Sequence, residues 1–188
     1  DIAALIGQRV PIRGEAGIGY VLDRGFDLPP LMLTPDEIEA VVLGAELVKA
    51  HADPSLARAA TDVLTKVAHI LPHGLRDIID SPSVGTPPSR GTKKPETVDV
   101  ARLRLWSRQG RKLRIAYVDE RGATSVRTVW PFMVGYVLTT RVLIAWCELR
   151  EGFRFFRTDR LAEVVFLEEL YPEGRTRLRS RWLEQGRA

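Results

Sequence analysis

RKLRIAYVDERGATSVRTVWPFMVGYVLTTRVLIAWCELREGFRFFRTDRLAEVVFLE, residues 111–168, decides the fold. It breaks into five predicted strands, 111–118, 124–137, 141–149, 153–158 and 162–168. The turns between them are short: Asp119-Glu120-Arg121-Gly122, Thr139-Thr140 and Arg150-Glu151-Gly152. Leu113, Ile115 and Tyr117 alternate with Arg114 and Ala116, as a half-buried strand requires, while Val142 to Trp146 is continuously apolar and suits a central strand. Strands this closely spaced, with no helix between them, predict a small antiparallel barrel. The same stretch carries arginines that a barrel does not need for stability, and these point to function.

The net charge of +4 is unevenly distributed. Residues 1–100 hold 10 basic and 14 acidic side chains, a net of −4, and residues 101–160 hold 13 and 5, a net of +8. The remainder, 161–188, balances at 5 and 5. A basic module joined to a mildly acidic one directs an anionic partner to the barrel; the plain alternative is a solvated arginine surface. No apolar run approaches the roughly 18–20 residues that cross a bilayer. The single Cys147 forms no intramolecular disulfide and fits a reducing cytoplasm.

The chain reads as an α+β protein in five parts: 1–22, 23–80, 81–97, 98–170 and 171–188. Ile2, Leu5 and Ile6 form a helix stub ending at Gly7, and residues 10–13 and 19–22 flank a glycine-rich turn as a hairpin. A stub and hairpin at the start are what the last third of a winged helix-turn-helix looks like, so the chain reads as a fragment whose first DNA-reading helices are missing. Gly14, Gly17 and Gly19 lack the spacing of a dinucleotide loop and are turn residues. Thr34-Pro35-Asp36-Glu37 and Asp53-Pro54 each start a helix. Ile38, Val41, Val42, Ala45 and Val48 line the first, and Leu56, Ala60, Val63, Leu64, Val67 and Ile70 line the second. Together they predict a helical hairpin, either packed on the barrel or paired with a second copy in a homodimer. Residues 81–97 (SPSVGTPPSRGTKKPET) are a linker, 98–109 a helix with Val100, Leu103 and Trp106 on one side, and 174–185 a basic helix with Leu178 and Trp182 on one face.

Three segments in order carry a family resemblance. They are residues 11–20 with Phe26-Asp27-Leu28-Pro29-Pro30-Leu31 and 34–40; Leu113-Arg114-Ile115-Ala116-Tyr117 with Arg127-Thr128-Val129-Trp130-Pro131; and Arg154-Phe155-Phe156-Arg157-Thr158-Asp159-Arg160-Leu161. The chain resembles the YafY-like members of the WYL-domain transcriptional regulators, which carry a DeoR-type winged helix-turn-helix. The resemblance implies an Sm/SH3-like barrel that senses a ligand, nucleic-acid-derived in some members, and a dimer that holds an operator duplex. The triplet that names the family aligns with Arg141-Val142-Leu143, where only the leucine matches, so the tyrosine hydroxyl of family pockets is missing at Val142. By motif matching, Tyr117, Arg127, Arg154, Arg157 and Arg160 are the ligand-site residues, and Arg13 is a wing contact to DNA.

Arginine is the chemistry such a site needs, because its planar fork takes phosphate oxygens two at a time and stacks on rings. Aromatics add about 1–3 kcal/mol of stacking per base. Strand alternation puts Arg127 and Trp130 on opposite faces, and pairs Arg154 with Phe156 against Phe155 with Arg157. Two roles stay open for Arg160, ligand contact or pairing with Asp159 at the rim, and Tyr117 suits the core as well as the site. No catalytic group, metal site or cofactor is predicted. Cys147 has no neighbouring histidine, Pro72 interrupts the His69–His73 spacing, His51 stands alone, and Asp119 and Glu120 adjoin on a turn. The sequence therefore predicts a cytoplasmic, non-enzymatic, DNA-binding regulator with a sensing barrel. A stand-alone Sm/OB-like single-stranded nucleic-acid-binding or oligomerisation module is the alternative.

Overall fold

The computed structural model describes residues 12–15, 17–22, 32–83, 85, 98–137 and 140–185. The helix stub expected at 1–6, most of the extended connector expected at 23–33 and most of the expected linker lie outside the described residues. The chain forms two compact units, Asp1–Thr34 and Pro35–Ala188.

In the first unit β1 (Ile12–Glu15) pairs antiparallel with β2 (Gly19–Leu22), in the hairpin the sequence predicted. The hairpin needs its glycines, of which Gly14 and Gly19 stand in the strands rather than in the turn expected from the sequence. Gly17 and Gly19 have φ of 93° and 117°, and a side chain on Gly14 would run into the Gly19 carbonyl.

The second unit opens with α1 (Pro35–His51) and α2 (Pro54–Ile70), which pack together. Ile38, Val42, Ala45 and Ala60 are buried between the helices and their surroundings. The predicted stripe on α2 is covered only in part. Leu56, Leu64 and Val67 are half-buried, while Val63 and Ile70 remain 47% and 70% exposed. Asp53 caps α2, accepting the amides of Ser55 and Leu56, each at 3.2 Å, ahead of Pro54 at the first helical position. A 3-10 turn (His73–Leu75) and the short α3 (Asp77–Asp80) follow, and α3 packs back on α1.

Helix α4 (Val100–Gln109) begins at Asp99, whose carboxylate accepts the Arg102 amide at 2.9 Å. It ends at Gly110, where φ of 71° gives the left-handed cap that glycine favours. The five strands follow close to their predicted limits: β3 (Arg111–Val118), β4 (Thr124–Val137), β5 (Thr140–Cys147), β6 (Gly152–Arg157) and β7 (Leu161–Leu170). All neighbours are antiparallel and the order is β6-β5-β4-β3-β7.

The expected barrel is not closed by hydrogen bonds, because β6 and β7 are the sheet's two edges. The sheet is nevertheless strongly curled. In a flat sheet its edges would stand roughly 19 Å apart. They are joined by a single 3-10 turn, Thr158–Arg160, whose rise is only about 6 Å. The bend is taken up by β4. Ser125 pairs with Tyr117, and Val134 pairs with Leu143, which in turn pairs with Phe156. From Ser125 to Val134 an extended strand would run about 30 Å, yet the Tyr117 and Phe156 rings meet edge to face at 5.2 Å. The register slips between Pro131 and Met133, and a proline that cannot donate to the ladder sits at this bulge.

One core fills the hollow of the curl. Leu113, Ile115, Val129, Leu143, Ala145, Phe156 and Leu161 bring all five strands to Leu103 and Trp106 of α4. A second cluster lies on the other face of β4 and β5, where Phe132, Val142 and Ile144 meet Tyr171 and Leu178 of α5 (Arg175–Gln185). Cover on both faces explains the unbroken apolar run in β5. Trp106 donates its indole N–H to the Leu167 carbonyl at 2.8 Å, and Arg111 bonds the Glu168 carbonyl at 3.1 Å. Both carbonyls lie where β7 bulges away from β3.

Candidate anion-binding site

The seam where β6 turns into β7 carries four of the five arginine and tyrosine positions singled out by motif matching: Tyr117 and Arg127 on the inner face over Phe156, and Arg157 and Arg160 at the turn, with Arg157 across from Val142. Tyr117 ends the inner row of β3, half-buried, with its ring edge-on to Phe156. Arg127 stands across from Ile115 on the inner face of β4. Its Nε donates to Ser125 Oγ at 3.0 Å and its guanidinium carbon lies 5.8 Å from the centre of the Phe156 ring. No carboxylate among the described residues pairs with it. Phe156, only 1% exposed, is the floor on which both residues rest.

The other two cations are already engaged. Arg157 grips Asp159 with two bonds, Nε to Oδ1 at 3.0 Å and Nη2 to Oδ2 at 2.8 Å. These bonds hold its pKa above the ordinary arginine value, with Tyr117 and Glu120 adding to the field. Arg160 donates Nη1 to Glu120 Oε1 at 3.1 Å, so the turn between β3 and β4 supplies its counter-ion. Asp159, weighed from the sequence as a partner for Arg160, is held by Arg157.

Arg154 is not part of the seam. It is exposed, three residues back along β6, with Nη1 on its neighbour's carbonyl, Phe153 O, at 2.7 Å. Alternation on β6 falls as the sequence predicted: Phe153 and Phe155 face Trp182 and the second cluster, and Phe156 faces the main core. Arg13 lies exposed on β1 of the other unit.

The triplet Arg141-Val142-Leu143 sits at the start of β5. Leu143 is fully buried in the main core, and Val142 faces the second cluster with Phe132 and Tyr171. Position 142 is therefore on the strand face opposite the core row that ends at Tyr117. Arg141 donates Nε to the His51 carbonyl at 3.0 Å.

Sequence reasoning weighed Asp159 as a partner for Arg160 rather than for Arg157, and missed Glu120 as the partner of Arg160 and the role of Phe156 beneath Tyr117 and Arg127. The Asp159 signal was present in the local R-x-D spacing; that of Glu120 was not, since its partner lies 40 positions away. Elsewhere, the His69 ring bonds the Thr65 carbonyl at 2.7 Å, and Cys147 is buried. No described helix is long and apolar enough to cross a membrane.

Residues 99–166 match the WYL domain model, and a WYL domain is present over that stretch. Among solved structures the chain is similar to the proteasome accessory factor B/C (PafBC) of Arthrobacter aurescens. The TM-score is 0.41 and the identity 19%, over 79% of this chain and 23% of that one. The chain thus spans less than a quarter of that protein's length.

Proposed function

We propose that this chain is the sensing and connecting portion of a bacterial DNA-binding transcriptional regulator. In this reading the WYL domain takes an anionic, nucleic-acid-derived ligand at the seam. Arg127 makes the first phosphate contact, and Arg157 and Arg160 are recruited from their carboxylates, with Tyr117 beside them. The hairpin β1–β2 is the wing of a DeoR-type winged helix-turn-helix, with Arg13 touching operator backbone. The helices α1 and α2 serve a homodimer, and the curled sheet is an SH3-like barrel in all but its last ladder. The protein works in the cytoplasm by binding rather than by catalysis.

The observation that supports this reading most directly is Arg127, a cation with no carboxylate partner among the described residues, held over an aromatic ring inside a WYL domain. A charge-assisted hydrogen bond contributes about 1.5–3 kcal/mol, or roughly 10- to 100-fold in affinity. Titration of a labelled single-stranded oligonucleotide by fluorescence anisotropy tests it. Binding is expected to weaken steeply with salt, to fall by about tenfold or more in Arg127→Ala, and to change little in Arg154→Ala. Equal losses in the two variants, or binding indifferent to salt, would refute the assignment.

A further inference from the structure

The turn between α1 and α2 is where the helical hairpin is fastened to the WYL domain. Ala52 and Asp53 are 6% and 1% exposed. Two arginines reach this turn from different elements. Arg104 of α4 holds the Asp53 carboxylate at 2.9 and 3.0 Å and adds a bond to Ser55 Oγ at 2.8 Å. Arg141 of β5 holds the last carbonyl of α1, that of His51.

Only the second tie touches the seam. Val142, next to Arg141, is the cross-strand partner of Arg157. The Thr158 hydroxyl lies 3.5 Å from the Arg141 carbonyl, a long contact, and the 3-10 turn Thr158–Arg160 rests against β5. One residue therefore has the seam turn on its backbone side and the hairpin on its guanidinium.

We propose that Arg141 couples the seam to the helical hairpin, so that a change at the Arg157–Asp159 pair alters how firmly the end of α1 is held. The inference rests on the seam being the ligand site. An anion drawn to Arg157 competes with Asp159 for one guanidinium fork, which cannot serve two bidentate partners at once. Losing that pair loosens the Thr158–Arg160 turn against β5 and shifts the residue that carries the hairpin tether. Helix ends depend on such outside donors for their last carbonyls. Arg104 and Asp53 act as the fixed pivot, because neither touches the seam.

The test needs no ligand. Asp159→Asn mimics release of Arg157, and hydrogen exchange on the full chain reads peptides covering 45–60. In the wild-type background Asp159→Asn is expected to speed exchange there several-fold. In Arg141→Met, exchange is already faster and Asp159→Asn adds nothing. In Arg104→Met, exchange is also faster but the response to Asp159→Asn remains. Arg141→Lys, which keeps the charge without the fork, serves if the methionine variant folds poorly, and is expected to blunt the response in the same way. An undiminished response in the Arg141 variants, or none in the wild-type background, overturns the coupling. Failure of oligonucleotides to bind would instead count against the seam as a ligand site, so the two failures are told apart.

Discussion

Replacing Asp53 by alanine is the most severe single perturbation the geometry defines outside the apolar core. The residue is 1% exposed and its carboxylate accepts five donors: the amides of Ser55 and Leu56, the Ser55 hydroxyl, and Nε and Nη2 of Arg104. Loss of a helix cap costs about 0.5–2 kcal/mol. Breaking a buried ion pair by removing one partner costs about 3–5 kcal/mol. The Arg104 side chain is 21% exposed, so water recovers part of that second figure and its lower end applies. The sum is about 3.5–5 kcal/mol, enough to lower the melting temperature by roughly 7–20 °C in a protein of this size. Urea unfolding followed by circular dichroism measures it. A double-mutant cycle with Arg104→Met should return a coupling of about 1–3 kcal/mol. Burial by itself pushes the Asp53 carboxyl up, but bonds from Arg104, Ser55 and Leu56 outweigh it and leave the pKa below the ordinary aspartate value. The stabilisation is therefore complete above the unfolded value, about 3.9, and is lost as pH falls through the depressed folded value. Asp53→Asn should lack that acid-dependent component. A loss below about 1 kcal/mol in Asp53→Ala would refute the view that this turn is the anchor between the helical hairpin and the WYL domain.

Three further outcomes follow from particular contacts. Tyr171 is buried, donates its hydroxyl to the Pro131 carbonyl at 3.2 Å, and burial pushes its pKa up to about 12. Its neutral form is favoured in the fold, so stability should fall by up to about 2–3 kcal/mol as pH rises from 10 to 12, a loss absent from Tyr171→Phe in pH-dependent melts. Gly110→Ala keeps ordinary contact with the Tyr171 ring, where a Cβ would lie 3.6 Å away, but forces an L residue to φ of 71°. That should cost about 1–2 kcal/mol by urea unfolding. Ile70→Glu changes a side chain that is 70% exposed, so the folded chain should keep its stability within about 0.5 kcal/mol. A homodimer built on α2 should dissociate in sedimentation velocity, and an unchanged sedimentation coefficient would remove α2 from the interface.

The strands were legible because their signals are local. Alternation in 111–118, the turn residues at 119–122 and the capping Gly110 each act within a few positions, and the observed limits agree to within two residues at either end of each strand. Those signals predicted a barrel; a sheet that curls yet stays open between β6 and β7 was not legible from them. It depends on the bulge beside Pro131 and on the brevity of the link from β6 to β7, which matters only once the order β6-β5-β4-β3-β7 is known. A proline inside an otherwise continuous strand was the available clue. On α2, periodicity found the apolar face but not how much of it is covered, since cover comes from distant parts of the chain. Asp53 reads in the sequence as a helix start and nothing more, because Arg104 stands 51 positions away.

The candidate site shows the same division in electrostatic terms. A net of +8 over residues 101–160 pointed an anionic partner to this domain but could not rank its arginines. In the fold Arg157 and Arg160 are matched by Asp159 and Glu120, Arg154 points elsewhere, and Arg127 keeps, among the described residues, a hydroxyl and a ring with no carboxylate. Exposed ion pairs contribute about 0–1 kcal/mol, so a phosphate can displace Asp159 or Glu120 at small cost, whereas Arg127 requires no displacement at all. Were the surplus charge acting as a general surface field, each arginine would matter about equally to an anion, and salt would erase the differences among variants. A built site instead makes Arg127 dominant. It also predicts that Asp159→Asn, by freeing Arg157, tightens oligonucleotide binding severalfold while Asp119→Asn, in the same charge region but outside the pairs, does not. Equal effects from those two neutralisations would return the arginines to the status of a solvated surface.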